Sequence, residues 1–242
     1  MARNPSSRPS ACSTVLQKNE GGASHDESKI VASKFRLEKL LGEGGMGKVY
    51  LALDMMMDRR VALKCISSQY KEDEKRFLQE IRTAANLKHP NIITIYEVGE
   101  DQGRIFYTME YVQGRNLAQQ LQEKKKPSTR EWLEIMLQVA QGIAYAHSQN
   151  VLHRDIKPEN IMITNEGKAI VMDFGLAKKI EEKEAPASCL PDVHNPGITV
   201  QGAIMGTPLY MAPEIVDQQE ASKLSDVYSL GMVLYYVLNK GK

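Results

Sequence analysis

His153-Arg154-Asp155-Ile156-Lys157-Pro158-Glu159-Asn160 crowds acidic, basic and amide side chains around one proline. The apolar run Ile161-Met162-Ile163 follows, then the turn signal Asn165-Glu166-Gly167, then Ala169-Ile170-Val171-Met172, which ends in Asp173-Phe174-Gly175. Two strand-like runs around a short polar turn read as a tight hairpin. A hairpin of this length brings Asp155, Asn160 and Asp173 together. Two carboxylates and an amide oxygen are hard donors that suit Mg²⁺, an ion that keeps phosphates and water as its other partners.

Upstream, Leu40 to Leu53 reads LLGEGGMGKVYLAL, with Gly42, Gly44 and Gly47 in a G-x-G-x-x-G spacing. A dinucleotide fingerprint would open a helix at this point. Here Lys48 to Leu53 is strand-like, so the glycines read as a turn between strands whose backbone can approach phosphates closely. Met55 to Arg60 reads as a surface connection. In Val61-Ala62-Leu63-Lys64, alternation puts Val61 and Leu63 on one face and Ala62 and Lys64 on the other. The small Ala62 leaves room for a flat ring beside Lys64.

Phe77, Leu78, Ile81, Ala84 and Ala85 recur at helical spacing, which predicts a helix from Glu72 to Leu87. Glu80 lies beside that stripe, where a carboxylate can pair with Lys64 and aim it. Glu72, Asp73 and Glu74 crowd the first turn, where the helix dipole favours them. Ile92 to Tyr96 and Arg104 to Tyr111 read as strands. Ser128 and Glu131 fit a capping box. The helix after them carries Trp132, Ile135, Met136, Val139, Ile143 and Ala146 on one stripe.

The run from His153 to Asn160, followed by Asp173-Phe174-Gly175, resembles the catalytic and metal loops of eukaryotic-type serine/threonine protein kinases, in the style of their bacterial members. The resemblance covers residues 35–242. It implies an α+β, bilobal fold. Residues 35–111 would form an N-lobe of five antiparallel strands and one helix. Residues 112–242 would form a mainly helical, incomplete C-lobe, with an activation segment over 173–214.

The same resemblance implies the roles. Asp155 would orient the substrate hydroxyl, and Lys157 would neutralise the transferring phosphoryl group. Lys64, aimed by Glu80, would reach the α- and β-phosphates of ATP. Leu41, Gly42, Gly44, Gly47 and Val49 would cover the nucleotide. Ala62 with Val49 would roof the adenine, Met162 would floor it, and Met109 would stand behind it. Backbone groups of Glu110 and Val112 would bond its edge. Asn160 and Asp173 would hold Mg²⁺, with Mn²⁺ as an alternative ion. His153 would be structural rather than a base, Phe174 would pack inward, and Thr207 would bond Asp155 and Lys157. Arg154 calls for an anionic partner, which a phosphorylated loop residue supplies by charge-assisted bonds. Thr199 is the first candidate for autophosphorylation and Ser188 the second.

Net charge +1 and a pI near 7.7 argue against bulk attraction to nucleic acid or anionic lipid. The apolar stretch from Val227 to Leu238 is too short to span a bilayer. Cys12, Cys65 and Cys189 lie far apart and form no metal-binding spacing. Residues 1–30, polar and without apolar periodicity, read as a disordered leader.

The family pattern continues beyond Lys242 with further helices. One of them carries an arginine that pairs with the residue matching Glu214, so Glu214 is expected to lack its partner here and the helix after Asp226 to keep uncovered apolar surface. The expectation is a cytoplasmic ATP-dependent kinase that acts on serine and threonine of proteins, itself included through a transient homodimer. The alternative is a truncated, non-catalytic kinase fragment that binds nucleotide or a partner.

Overall fold

The computed structural model describes residues 29–45, 47–67, 74–124, 126–174, 208–217 and 219–239. The candidate phosphorylation sites Thr199 and Ser188, together with Thr207, lie outside the described residues, as do residues 1–28.

Strands β1 (Ile30–Val31), β2 (Phe35–Gly44), β3 (Gly47–Asp54), β4 (Arg59–Ile66), β5 (Ile95–Asp101) and β6 (Arg104–Glu110) form one antiparallel sheet in the order β1-β2-β3-β4-β6-β5. The five expected strands are joined by a sixth, β1, which pairs Ile30 with Arg36 and Val31 with Phe35 at the sheet edge. Ile30 therefore belongs to the sheet rather than to a leader.

Alternation along β4 works as read. Val61 and Leu63 pack with Phe35, Ala52 and Phe106 on one face. Ala62 packs on the other face with Phe77 and Ile81 of helix α1 (Glu74–Ala85). The periodic apolar face of α1 thus covers one side of the sheet. Burying each such large side chain is worth about 1.5–3 kcal/mol.

The second unit contains helices α2 (Leu117–Leu121), α3 (Thr129–Ser148), α4 (Pro213–Val216) and α5 (Lys223–Leu238), with a small sheet of β7 (Gly114–Asn116), β8 (Ile161–Thr164) and β9 (Ala169–Val171) in the order β7-β8-β9. The capping box starts α3 as expected: Glu131 N–H donates to Ser128 Oγ at 3.3 Å, and Ser128 N–H donates to Glu131 Oε2 at 2.7 Å. Such a cap is worth about 1 kcal/mol. The stripe from Trp132 to Ala146 is buried in the largest core cluster. Helix α5 buries Ser225, Asp226, Val233 and Val237 and leaves Leu224, Val227, Tyr228 and Tyr235 exposed.

The hairpin registers Ile161 with Val171 and Ile163 with Ala169. It is stitched to the chain leaving α1. Val171 N–H donates to Asn91 O and Ile93 N–H to Val171 O, each at 2.9 Å, while Asn91 Nδ2 donates to Ala169 O at 2.8 Å. These bonds set the hairpin's end against the face of the large sheet that carries Ala62 and Lys64.

Candidate active site

Strands β2 and β3 meet at Gly44 and Gly47. Gly47 has φ of +139°, and a Cβ there would lie 2.0 Å from Cys65 O, so only glycine fits. At Gly42 and Gly44 a Cβ would meet nothing within 4 Å among the described residues. Packing does not require glycine at those two positions, and the space beside them is open to a ligand. Val49, Ala62, Met109, Val112 and Met162 fall in one apolar cluster, although they come from four separate stretches of chain. Leu41 is exposed on β2, and Glu110 closes β6, donating its N–H to Thr94 O at 2.9 Å.

At the end of the β8–β9 hairpin the charged groups converge. Met172 N–H donates to Asn160 O at 2.9 Å, which carries the ladder on and places Asn160 beside the residue that precedes Asp173. Asn160 Nδ2 donates to Asp155 O at 2.8 Å and to Asp155 Oδ2 at 2.9 Å. Lys157 Nζ meets the same Oδ2 at 2.7 Å. With its nitrogen turned to Asp155, the Asn160 amide keeps its oxygen as a ligating atom.

Lys64 is 6% exposed, and its Nζ lies 2.9 Å from Asp173 Oδ1. Tyr107 hydroxyl donates to the same oxygen at 3.1 Å. Burial by itself would raise the Asp173 pKa. The Lys64 ammonium and the hydrogen bonds from Lys64 and Tyr107 outweigh it and hold the carboxyl below its usual range. Asp173 is therefore ionised. Its second oxygen and the Asn160 amide oxygen are hard donors of the type Mg²⁺ takes, and two protein donors leave the remaining positions to phosphates and water.

The pairing of Glu80 departs from the sequence-based expectation. Its Oε1 lies 3.5 Å from Arg154 Nη1, while Lys64 goes to Asp173. Two residues of these pairs sit in the left-handed region of the backbone. Asp173 has φ +58° and Arg154 φ +65°. Arg154 Nε is buried with no hydrogen-bond partner among the described residues.

His153 is 1% exposed. Its Nε2 lies 2.9 Å from Met172 O, and its Nδ1 accepts from Asp155 N–H at 3.2 Å. Its ring also packs on Phe174 at 4.6 Å. Burial lowers its pKa against the pull of Asp226 and Asp155, so the ring is a neutral strut with both nitrogens engaged. That arrangement matches its assignment as structural.

Two residues of the site were not singled out from sequence. Asp226, 2% exposed on α5, accepts from His153 N–H and Arg154 N–H, each at 2.8 Å, and its Oδ2 lies 2.8 Å from His147 Nε2. The available signal was a lone carboxylate in an otherwise apolar helix. Tyr107 gave no signal beyond strand alternation. Glu214 meets a serine: Ser225 Oγ donates to its Oε1 at 2.6 Å.

The family described as the protein kinase domain matches residues 35–242. The serine/threonine-protein kinase PknD of Protochlamydia amoebophila is 37% identical over 241 residues, which cover 92% of this chain and 24% of that protein. PknD of Chlamydia trachomatis is 37% identical over 228 residues, covering 85% of this chain and 24% of that protein. PrkC of Bacillus subtilis, also a serine/threonine-protein kinase, is 36% identical over 213 residues, covering 87% and 31%. The chain spans 24–31% of the length of these curated relatives.

Proposed function

This chain belongs to the protein kinase family, and on that premise we propose that it transfers the γ-phosphate of Mg-ATP to serine and threonine hydroxyls of proteins, its own included. The reading divides the chain into a nucleotide lobe over residues 35–111 and a substrate lobe over 112–242. One observation carries it: the acid–base cluster of Asp155, Lys157 and Asn160 stands at the hairpin end that also presents Asp173 to Lys64. The serine/threonine class follows from Lys157, two residues after Asp155, and from the names of the relatives.

Mg²⁺ would supply charge neutralisation between the β- and γ-phosphates, with the Asn160 amide oxygen and the Asp173 carboxylate holding it. Asp155 orients the incoming hydroxyl and accepts its proton as the new P–O bond forms and the bond to the ADP oxygen breaks. Lys157, already 2.7 Å from Asp155, adds positive charge where the phosphoryl group crosses. Lys64 moves from Asp173 to the α- and β-phosphates once nucleotide enters. The apolar cluster around Ala62 and Met162 holds the adenine between its faces.

The test is transfer of radiolabelled γ-phosphate to the chain itself and to a basic protein, with Asp155→Asn alongside. Transfer that is present in the wild type and falls by at least about a thousandfold in the variant is expected for a positioned acid–base group acting with its neighbours. A folded wild type that binds Mg-ATP without transferring phosphate would overturn the reading in favour of a non-catalytic binding fragment.

A further inference from the structure

Tyr107 sits directly across the β4–β6 ladder from Lys64. Partners in an antiparallel ladder project to the same side, and both side chains end on a single atom, Asp173 Oδ1, at 3.1 Å from the hydroxyl and 2.9 Å from the ammonium. The Lys64 ammonium stands 5.9 Å from the centroid of the Tyr107 ring. Tyr107 is 1% exposed and cannot take its partner from solvent. A cavity of about 10 Å³ adjoins the contact, and apart from Tyr107 and Asp173 themselves its lining is apolar, from Ala84, Ile92, Ile93, Ile95, Met109 and Phe174. The hydroxyl is thus a built contact from the sheet to the metal loop.

We propose that Tyr107 is a positioning residue for the metal site: its hydroxyl holds Asp173 by Oδ1 so that the other carboxylate oxygen is presented to the divalent ion. This rests on the kinase reading above. Two donors share Oδ1 in the ligand-free protein. When nucleotide phosphates draw Lys64 away, the Tyr107 hydroxyl is the donor that stays, because it carries no charge for the phosphates to attract. Without it the carboxylate swings about a backbone already in the left-handed region at φ +58°, and it must be re-ordered each time the metal binds.

The test uses Tyr107→Phe, which removes one oxygen and keeps the ring, and a fluorescent ADP analogue titrated with and without Mg²⁺. The expected result is an unchanged affinity for the metal-free nucleotide and a Mg²⁺ requirement for tight binding raised on the order of tenfold, the scale of one hydrogen bond to a charged acceptor. A melting temperature close to wild type accompanies it. Three results would overturn the proposal: an unchanged Mg²⁺ requirement, an equal loss of affinity with and without metal, or loss of the cooperative melt, which would make Tyr107 a core residue only. If the wild type binds no Mg-nucleotide, the kinase reading itself falls and this inference with it. A wild type that binds, beside a variant that binds identically, sinks the Tyr107 role alone.

Discussion

Replacing Asp226 by asparagine exchanges one buried oxygen for a donor while the volume is almost unchanged. The wild-type carboxylate takes His153 N–H and His147 on one oxygen and Arg154 N–H on the other, all at 2.8 Å. An asparagine can keep the two contacts of one side only. Its amide nitrogen then faces a backbone N–H, donor against donor, in a site 2% exposed to water. The bond lost is charge-assisted, and the strand of catalytic loop it held is left with an unsatisfied group; the cost is about 3 kcal/mol. For a domain of this size that corresponds to a fall in Tm of roughly 6–12 °C. It is also a large fraction of a typical stability of about 5–15 kcal/mol. The assay is a thermal melt read by circular dichroism, paired with hydrogen exchange at the His153 and Arg154 amides. Both amides are expected to exchange faster in Asp226→Asn, and phosphate transfer is expected to fall with them because Asp155 follows directly in the chain. A variant that melts within about 2 °C of wild type, less than 1 kcal/mol, with both amides still protected, would refute the view that Asp226 clamps the loop.

Two further outcomes follow from the geometry. Gly47→Ala puts a Cβ 2.0 Å from Cys65 O at a φ of +139°, so it should cost about 1–3 kcal/mol in a urea melt. Gly44→Ala enters open space and should stay within about 0.5 kcal/mol; equal losses would contradict the assignment of Gly47 alone to structure. Burial holds His153 neutral by lowering its pKa from 6.5, against the opposing pull of Asp226, Asp155 and Asp173. Below that value the unfolded chain binds the extra proton, so the contribution is complete above it and is lost as pH falls, by at most about 1.4 kcal/mol per pH unit. The Tm of wild type should therefore drop more steeply than that of His153→Gln on going from neutral to mildly acidic buffer, and parallel slopes would count against a buried neutral ring.

Much of the candidate site is legible in the linear chain because its parts are local. The hairpin joining Asn160 to Asp173 is set by two apolar runs and a turn, and its register follows from side-chain alternation. The alternation Val61-Ala62-Leu63-Lys64 names which side chains face which core. The capping box at Ser128 and Glu131 satisfies its own backbone groups within one turn. Family resemblance then supplied the roles that composition alone does not carry. The resemblance implied five strands; the sixth, Ile30–Val31, is two residues long and lies before the stretch that the resemblance covers.

The ion pairs are another matter. Charge pattern and helix position pointed to Glu80 as the partner of Lys64, with Glu72, Asp73 and Glu74 assigned to the helix's first turn. The choice of Asp173 for Lys64 and Arg154 for Glu80 depends on where the hairpin is stitched to the chain after α1. Asp226 shows the same division. Its position in an apolar helix marks it as unusual, but only the packing of α5 against α3 turns that carboxylate onto the backbone of His153 and Arg154. Sequence by itself determined the family, the hairpin and the set of chemical groups, because local backbone preferences and alternation act over a few residues. Tertiary structure decided which charge meets which, because electrostatic pairing falls off with distance in space and that distance is set by packing between elements far apart in the chain.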